Sequence, residues 1–337
     1  MPNRTTTAGD VLVFPPPEEA PRERETYAGL VARLSRQSVA KHFDAYADVP
    51  WDDPEFGVDP GDPRWELPAD EGLGVFALGG TAWYQSQDAP TRRRLSIHLF
   101  ATLMKVGVQF ENVLQRGLLD FAMRLPNGAP EFRYVYHEVI EEGQHSLMFQ
   151  EFVNRTGLAV DGMPWVHRVL ANTLVVRLAR SFPELFFMFV LGGEDPIDHV
   201  QRVQLQKSWG PPIVRRISQI HMTEEARHLC FARHFLRQRV PRLSKRERFM
   251  LAMRTPFLLS QMSRRMLEPS VQVIREYAIP RPVLDAAFRR NPAHRAGTQA
   301  AVRKVRELCV ELGLVTPLAV RRWKQLGLWD GPLPTAT

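Results

Sequence analysis

Two stretches of this chain repeat one arrangement of acid and imidazole, and the repetition limits what the rest can fold into. In Gln219-Ile220-His221-Met222-Thr223-Glu224-Glu225-Ala226-Arg227-His228, the residues His221, Glu225 and His228 are spaced by four and then three positions. On a helix of 3.6 residues per turn that spacing gathers the three side chains within roughly 60° of arc. One face thus carries two imidazoles and a carboxylate. Upstream, Glu142 and His145 stand one turn apart in Glu141-Glu142-Gly143-Gln144-His145. Of the ten histidines, His145 and His228 alone have Glu three residues before them. A single one-turn Glu/His pair is commonly a surface ion pair. Two such pairs on separate helices fit a carboxylate-bridged metal pair, which draws one further Glu from each of two more helices, all pointing inward.

The remaining pattern supplies such helices. Apolar residues at three-and-four spacing predict a first helix over 26–47, then helices over 95–121, 131–154, 165–195 with a bend at Pro183, 211–237 and 245–267. Their breaks are Pro126-Asn127-Gly128-Ala129-Pro130, the stretch 157–164, Gly210-Pro211-Pro212 and Val240-Pro241-Arg242. Two later helices, over 298–312 and 317–326, are stopped by Gly313 and Gly327, where a C-terminal cap favours glycine. No alternating run argues for a sheet. The expected fold class is all-α, a ferritin-like or ribonucleotide-reductase-like four-helix bundle core with additional helices. The expected organisation is a flexible arm over 1–25, marked by Pro15-Pro16-Pro17-Glu18-Glu19, then one helical domain over 26–330 and a loose tail from Gly331. The connector 50–68 is rich in Pro, Asp and Trp, and its Asp clusters read as turns because they lack calcium-loop spacing.

Glu111 lies in the apolar run Gly107-Val108-Gln109-Phe110-Glu111-Asn112-Val113-Leu114, where burial without a partner would cost several kcal/mol. Asp120 is the other acid considered on that helix. Glu194 closes the run Phe187-Met188-Phe189-Val190-Leu191-Gly192-Gly193, with Glu184, Asp195 and Asp198 as competitors. The chain order is then acid, Glu-x-x-His, acid, Glu-x-x-His, with His221 as an additional ligand. Glu138, Glu141 and Glu224 neighbour the proposed ligands, either supporting them from behind or solvating the opposite face. His42, His98, His137, His167, His199, His234 and His294 read as surface or packing residues.

The two cysteines, Cys230 and Cys309, form no Cys-x-x-Cys motif, which removes disulfide frameworks, zinc ribbons and thiolate-held iron–sulfur clusters. Cys230, two residues beyond His228, is expected to turn away from the metal face and to be buried. Mixed carboxylate and imidazole without thiolate suits an iron pair, with manganese as the alternative, and open positions suit oxygen activation. The net charge of +7 is spread as arginine pairs along separate segments, including Arg92-Arg93-Arg94 and Arg264-Arg265, so no nucleic-acid partner is expected. No secretory apolar stretch follows Met1, and the longest apolar run, 185–193, is too short to span a bilayer. A cytoplasmic protein without a membrane partner is expected.

The order Glu111, Glu142-x-x-His145, Glu194, His221-x-x-x-Glu225-x-x-His228 resembles that of the AurF-like arylamine N-oxygenases. A third imidazole four residues before the last Glu distinguishes that family from ordinary ferritin-like di-iron proteins, and His221 occupies that place. The likeness covers 95–237, with a fainter echo at Val302–Leu308 and Glu311–Leu314. It implies that the seven side chains bind two iron ions, cycling between Fe2+ and Fe3+, with dioxygen as co-substrate. It further implies a homodimer, an external electron donor such as a reductase or ferredoxin, and a role in secondary metabolism. The implied substrate is a small-molecule amine, taken through hydroxylamine and nitroso to nitro. Where p-aminobenzoate enzymes of the family carry polar and Arg residues before the first Glu, this chain has Leu103-Met104-Lys105-Val106-Gly107-Val108, with Lys105 expected to face solvent. That difference fits a larger or less charged amine, or a different oxygenation altogether. Two other readings of the same ligands are a ferritin-like iron-handling or ferroxidase protein and a non-catalytic helical interaction protein with buried polar networks.

Overall fold

The computed structural model describes residues 25–69 and 74–331. The arm expected over 1–25, apart from Glu25, and the tail expected beyond 331 lie outside the described residues. Among the described residues the chain is all-helical, with no β-strand. Six helices matter for the site: α1 (Tyr27–Ala40), α2 (Ala89–Ala122), α3 (Pro130–Thr156), α4 (Pro183–Gln206), α5 (Pro212–Arg239) and α6 (Lys245–Leu267).

Local chemistry sets their ends. Asp88 caps α2 by accepting from the Thr91 amide, and Pro90 occupies a position where a missing N–H costs nothing. Ser244 and Glu247 bond each other reciprocally at the start of α6, satisfying donors the helix itself cannot. The single helix expected over 165–195 is instead interrupted. Phe182 leaves helical geometry (φ −154°, ψ 71°), and Pro183 starts α4, because a proline that cannot donate suits a first turn. The preceding segment runs as Trp165–Leu170 and Val176–Ser181 around a π-helical turn. α4 then continues past Pro196 to Gln206, well beyond the expected end. The first helix stops at Ala40, and the helix expected over 298–312 divides at Val302. Gly313 (φ 66°) and Gly327 (φ 75°) sit in the left-handed region, as expected of helix stops.

The short connections between α2 and α3, and between α4 and α5, make each pair antiparallel, and the two pairs face one another as a ferritin-like four-helix core. α6 covers α4, and α1 lies along α3. Two apolar clusters fill the bundle from opposite ends. One holds Phe110, Leu114, Phe187, Phe231 and Phe235; the other holds Leu95, Phe100, Phe149, Phe152 and Ile217. On every core helix the change from one cluster to the other falls at a candidate ligand: Glu111 on α2, Glu142 and His145 on α3, Glu194 on α4, and 221–228 on α5. The polar residues therefore occupy the middle layer of an otherwise apolar bundle.

Two glycines let the helices approach closely. A Cβ at Gly193 would meet the Phe110 ring at 2.1 Å, and one at Gly117 would meet the Phe186 ring at 2.3 Å. Gly117→Ala should therefore destabilise the protein by about 1–3 kcal/mol through overpacking, although alanine alone improves helix propensity by roughly 0.8–1 kcal/mol. Urea denaturation measures it, and a neutral or stabilised variant would contradict this packing.

Candidate metal centre

All seven residues of the sequence-derived set converge. Each is at most 2 % exposed. Glu225 is central: its Oε1 lies 3.0 Å from His228 Nδ1, 3.5 Å from His145 Nδ1 and 3.9 Å from His221 Nε2. Glu142 faces the same two Nδ1 atoms, with Oε2 at 3.0 Å from His145 and Oε1 at 3.1 Å from His228. His221 Nε2 lies 3.7 Å from both Glu111 Oε1 and Glu194 Oε2. Three subsets of these residues bring one donor atom each within 4.8 Å of one another: Glu111/His145/His221, Glu142/His145/Glu225 and Glu194/His221/Glu225.

The competing acids are placed elsewhere. Asp120 is half-buried and does not join the cluster. Glu184 pairs with Arg239, Asp195 with Arg233, and Asp198 with Arg202 and Lys304. Each of these has an Arg or Lys partner, and among the described residues Glu111, Glu142, Glu194 and Glu225 have none. Cys230 is half-buried beside His234 rather than fully enclosed, and it is absent from the cluster, as its helical phase requires.

Three residues that the spacing left open or did not reveal complete the arrangement. Glu224 and Glu141 are buried behind the imidazoles: His145 Nε2 meets Glu224 Oε2 at 2.9 Å, and His228 Nε2 meets Glu141 Oε2 at 2.7 Å. Arg227 donates to Glu141 at 2.8 Å, and the Phe43 amide donates to Glu224 at 3.1 Å. An ionised carboxylate can only accept, so each Nε2 carries a hydrogen and each Nδ1 is directed at the centre. His221 is held the other way round. Its Nδ1 lies 3.1 Å from Gln201 Oε1, leaving Nε2 toward the acids. Gln201 stands seven residues after Glu194, two turns along α4 on the same face. That spacing would have revealed it had the helix been followed beyond 195. Glu138, one turn before Glu142, also points inward, grouping with Glu142 and His228.

The electrostatics describe a cluster that needs positive charge. Burial, then the neighbouring Glu142, pushes Glu111 well above the usual carboxylate range; burial and Glu225 do the same to Glu194. Burial, with Glu142 adding, raises Glu225 against the pull of His228; burial, with Glu142 and Glu225 adding, raises Glu138 to about 8. Burial opposes ionisation of Glu142, but His228 and His145 outweigh it and hold that carboxyl well below its ordinary value. Against burial, the facing acids raise His145 to about 10, with Glu142 and Glu224 as the main partners. Glu225 and Glu142 raise His228 in the same way. Burial and then the charge of His145 lower His221 well below the usual imidazole value.

Four buried acids thus share too few compensating charges, and protons make up the difference. Glu111 Oε2, Glu225 Oε2 and His221 Nε2 are buried without hydrogen-bond partners. Orphaned carboxylate oxygens beside an imidazole lone pair are the donors a divalent cation takes, and four carboxylates balance two such ions. The oxygen and nitrogen donor set fits an iron pair.

A family model described as P-aminobenzoate N-oxygenase AurF matches residues 24–313. The chain belongs to the AurF family. This family is one of di-iron oxygenases, and the buried Glu/His cluster supplies side chains suited to hold its metal. Proteins named as uncharacterized in Mycobacterium tuberculosis (strain CDC 1551) and Mycobacterium bovis are each 38 % identical to this AurF-family chain over 303 residues, covering 88 % of it and 86 % of the relative. No solved structure gives a significant match. Among the described residues, no helix is long and apolar enough to cross a membrane.

The backing residues carry a direct expectation. Gln201→Leu removes the acceptor for His221 Nδ1 and should weaken ferrous-iron binding by about 10–100-fold, the usual effect of losing such a support. A competition titration with a chelator measures this. Unaltered affinity would show that Gln201 does not hold the ring.

Proposed function

We propose that this AurF-family protein is a di-iron oxygenase that uses dioxygen to oxidise the nitrogen of an amine, an arylamine being carried to hydroxylamine, nitroso or nitro product. Glu111, Glu142, His145, Glu194, His221, Glu225 and His228 are the proposed ligands, held in one helical domain over 26–330. The observation that carries this reading is the third imidazole. His221 presents an unpartnered Nε2 among three acids, and its ring borders an apolar cavity walled by Met104, Val106, Phe110, Phe149, Ile197 and Met266. An iron-handling protein needs no such apolar pocket beside its ligands, whereas an oxygenase does, to hold dioxygen away from water beside the reacting nitrogen.

Bound iron supplies dioxygen reduction, and each oxygen atom placed on nitrogen leaves its partner atom as water at the expense of two electrons from an external reductase or ferredoxin. The residues of this chain do the rest. Glu141, Glu224 and Gln201 orient the three rings. Phe149 lies 5.1 Å from the His221 ring and 6.2 Å from the His145 ring, shielding both from water. Gly107 makes room for Phe149, since a Cβ there would meet that ring at 2.9 Å. Lys105 is engaged by Gln150 at 2.7 Å. Among the described residues no cation lines the cavity, in keeping with an amine that carries no carboxylate on its reacting ring. Self-association as a homodimer is proposed through the exposed apolar residues Trp165, Val169, Leu170 and Leu174 ahead of α4.

Chemically reduced, iron-loaded protein mixed with labelled dioxygen and a panel of aryl and alkyl amines tests the proposal. About two irons per chain and label in an N-oxygenated product are expected. Oxygen consumed with no transfer to any amine would favour iron handling instead. His221→Ala should lower iron content or cut amine oxidation at least about tenfold, while far-ultraviolet circular dichroism stays helical. Unchanged iron content and turnover in that variant would refute its role.

A further inference from the structure

The cavity beside the ligands measures about 40 Å³. That is room for dioxygen or a few waters and too little for an aromatic ring with its substituents. Immediately outside lies a groove of about 1050 Å³, large enough for an extended organic molecule. The two spaces meet at Val106, which borders both. They also diverge across one peptide of α6, where Arg265 faces the groove and Met266 the cavity. One turn before Val106, Thr102 lines the groove with its hydroxyl buried and without a hydrogen-bond partner.

The charges of the groove are unevenly matched. Arg264 lies 3.8 Å from Glu268 in a one-turn pair. Arg265 is half-buried and forms no ion pair among the described residues; burial is what lowers its pKa. Arg168 and Arg275 line the same groove, and neither makes a side-chain ion pair among the described residues. The other two acids, Asp161 and Glu276, lie close enough to His98 to act on its charge. A guanidinium taken partly out of water without a carboxylate is a cost that an anionic ligand removes, and its fork of N–H groups matches phosphate or carboxylate oxygens in pairs.

We propose that this groove binds the anionic tail of an elongated amine substrate, a phosphate or carboxylate held by Arg265 with Arg168 and Arg275, while the amine end passes Val106 toward the ligands. The proposal rests on the oxygenase reading. The methionines at the cavity wall, Met104 and Met266, are unbranched and can repack to admit the amine end. The substrate is then recognised by charge at its far end, and the inner cavity selects only by shape.

Three probes built on the same four-carbon chain test it: 4-(4-aminophenyl)butyl phosphate, 4-(4-aminophenyl)butanoate and 4-(4-aminophenyl)butanol. Calorimetric titration into the iron-loaded protein should show at least one anion binding about tenfold or more tightly than the alcohol. The tighter of the two anions identifies the group. Arg265→Met should abolish that preference at unchanged iron content, and Arg265→Lys should recover part of it. Equal affinity for all three probes, or a preference that survives Arg265→Met, overturns the proposal. The two readings fail separately. Oxidation of all three probes at equal affinity removes the groove's role and leaves the oxygenase standing; anion-selective binding with no probe oxidised supports the groove and removes the oxygenase.

Discussion

Four glutamates and three histidines enclosed in an apolar bundle repel, attract and desolvate one another. A carboxylate taken from water into such surroundings either finds a cation or takes up a proton. Here Glu111, Glu194 and Glu225 are driven toward the protonated form, and His145 and His228 toward the charged one. The protons thus stand where positive ions belong. A pair of divalent cations held by these side chains would displace them and satisfy the oxygen and nitrogen atoms left without partners. Packing, supports and access routes can all be understood as consequences of keeping that cluster intact.

The bundle keeps it intact by enclosing it from both ends. Aromatic packing around Phe187 and Phe231 closes one side, and packing around Phe100 and Phe152 closes the other. Each apolar cluster spans several helices, so no helix that carries a proposed ligand can shift without opening a core. Close approach at Gly193 sets the Phe110 ring against the helix that carries Glu194, fixing two opposing acids at once. The imidazoles are then locked from behind by different chemistry: carboxylates for His145 and His228, an amide for His221. A carboxylate support makes an imidazole a stronger donor than an amide support does. The third imidazole is therefore the weaker donor and the one that faces the cavity.

Much of this was legible in the amino-acid order because ligand spacing on a helix is dictated by its period. His221, Glu225 and His228 could share a face in only one secondary structure, and the Glu142/His145 echo required a second helix opposite. Apolar context favoured Glu111 over Asp120 and Glu194 over its neighbours; Asp120 is only half-buried, but Glu184, Asp195 and Asp198 are as buried as Glu194 and differ from it in having Arg or Lys partners. The supports were harder to read. Glu141 and Glu224 are adjacent to Glu142 and Glu225, and a one-residue step on a helix changes direction by about 100°, so spacing alone left them between support and solvent. Gln201 lay beyond the expected helix end at 195, whereas α4 runs on past Pro196 to Gln206. The arginine groove draws on α6 and on residues near 168 and 275, and only tertiary packing brings those segments together.

The central claim is that seven side chains from four helices enclose two iron ions. Crystals of the iron-loaded protein, measured on both sides of the iron absorption edge, test it most directly. The account requires two anomalous peaks within the ring formed by Glu111, Glu142, His145, Glu194, His221, Glu225 and His228, with His145 and His228 approaching through Nδ1 and His221 through Nε2. Iron found elsewhere on the chain, or a ring that still holds only protons and water in protein saturated with iron, would contradict it.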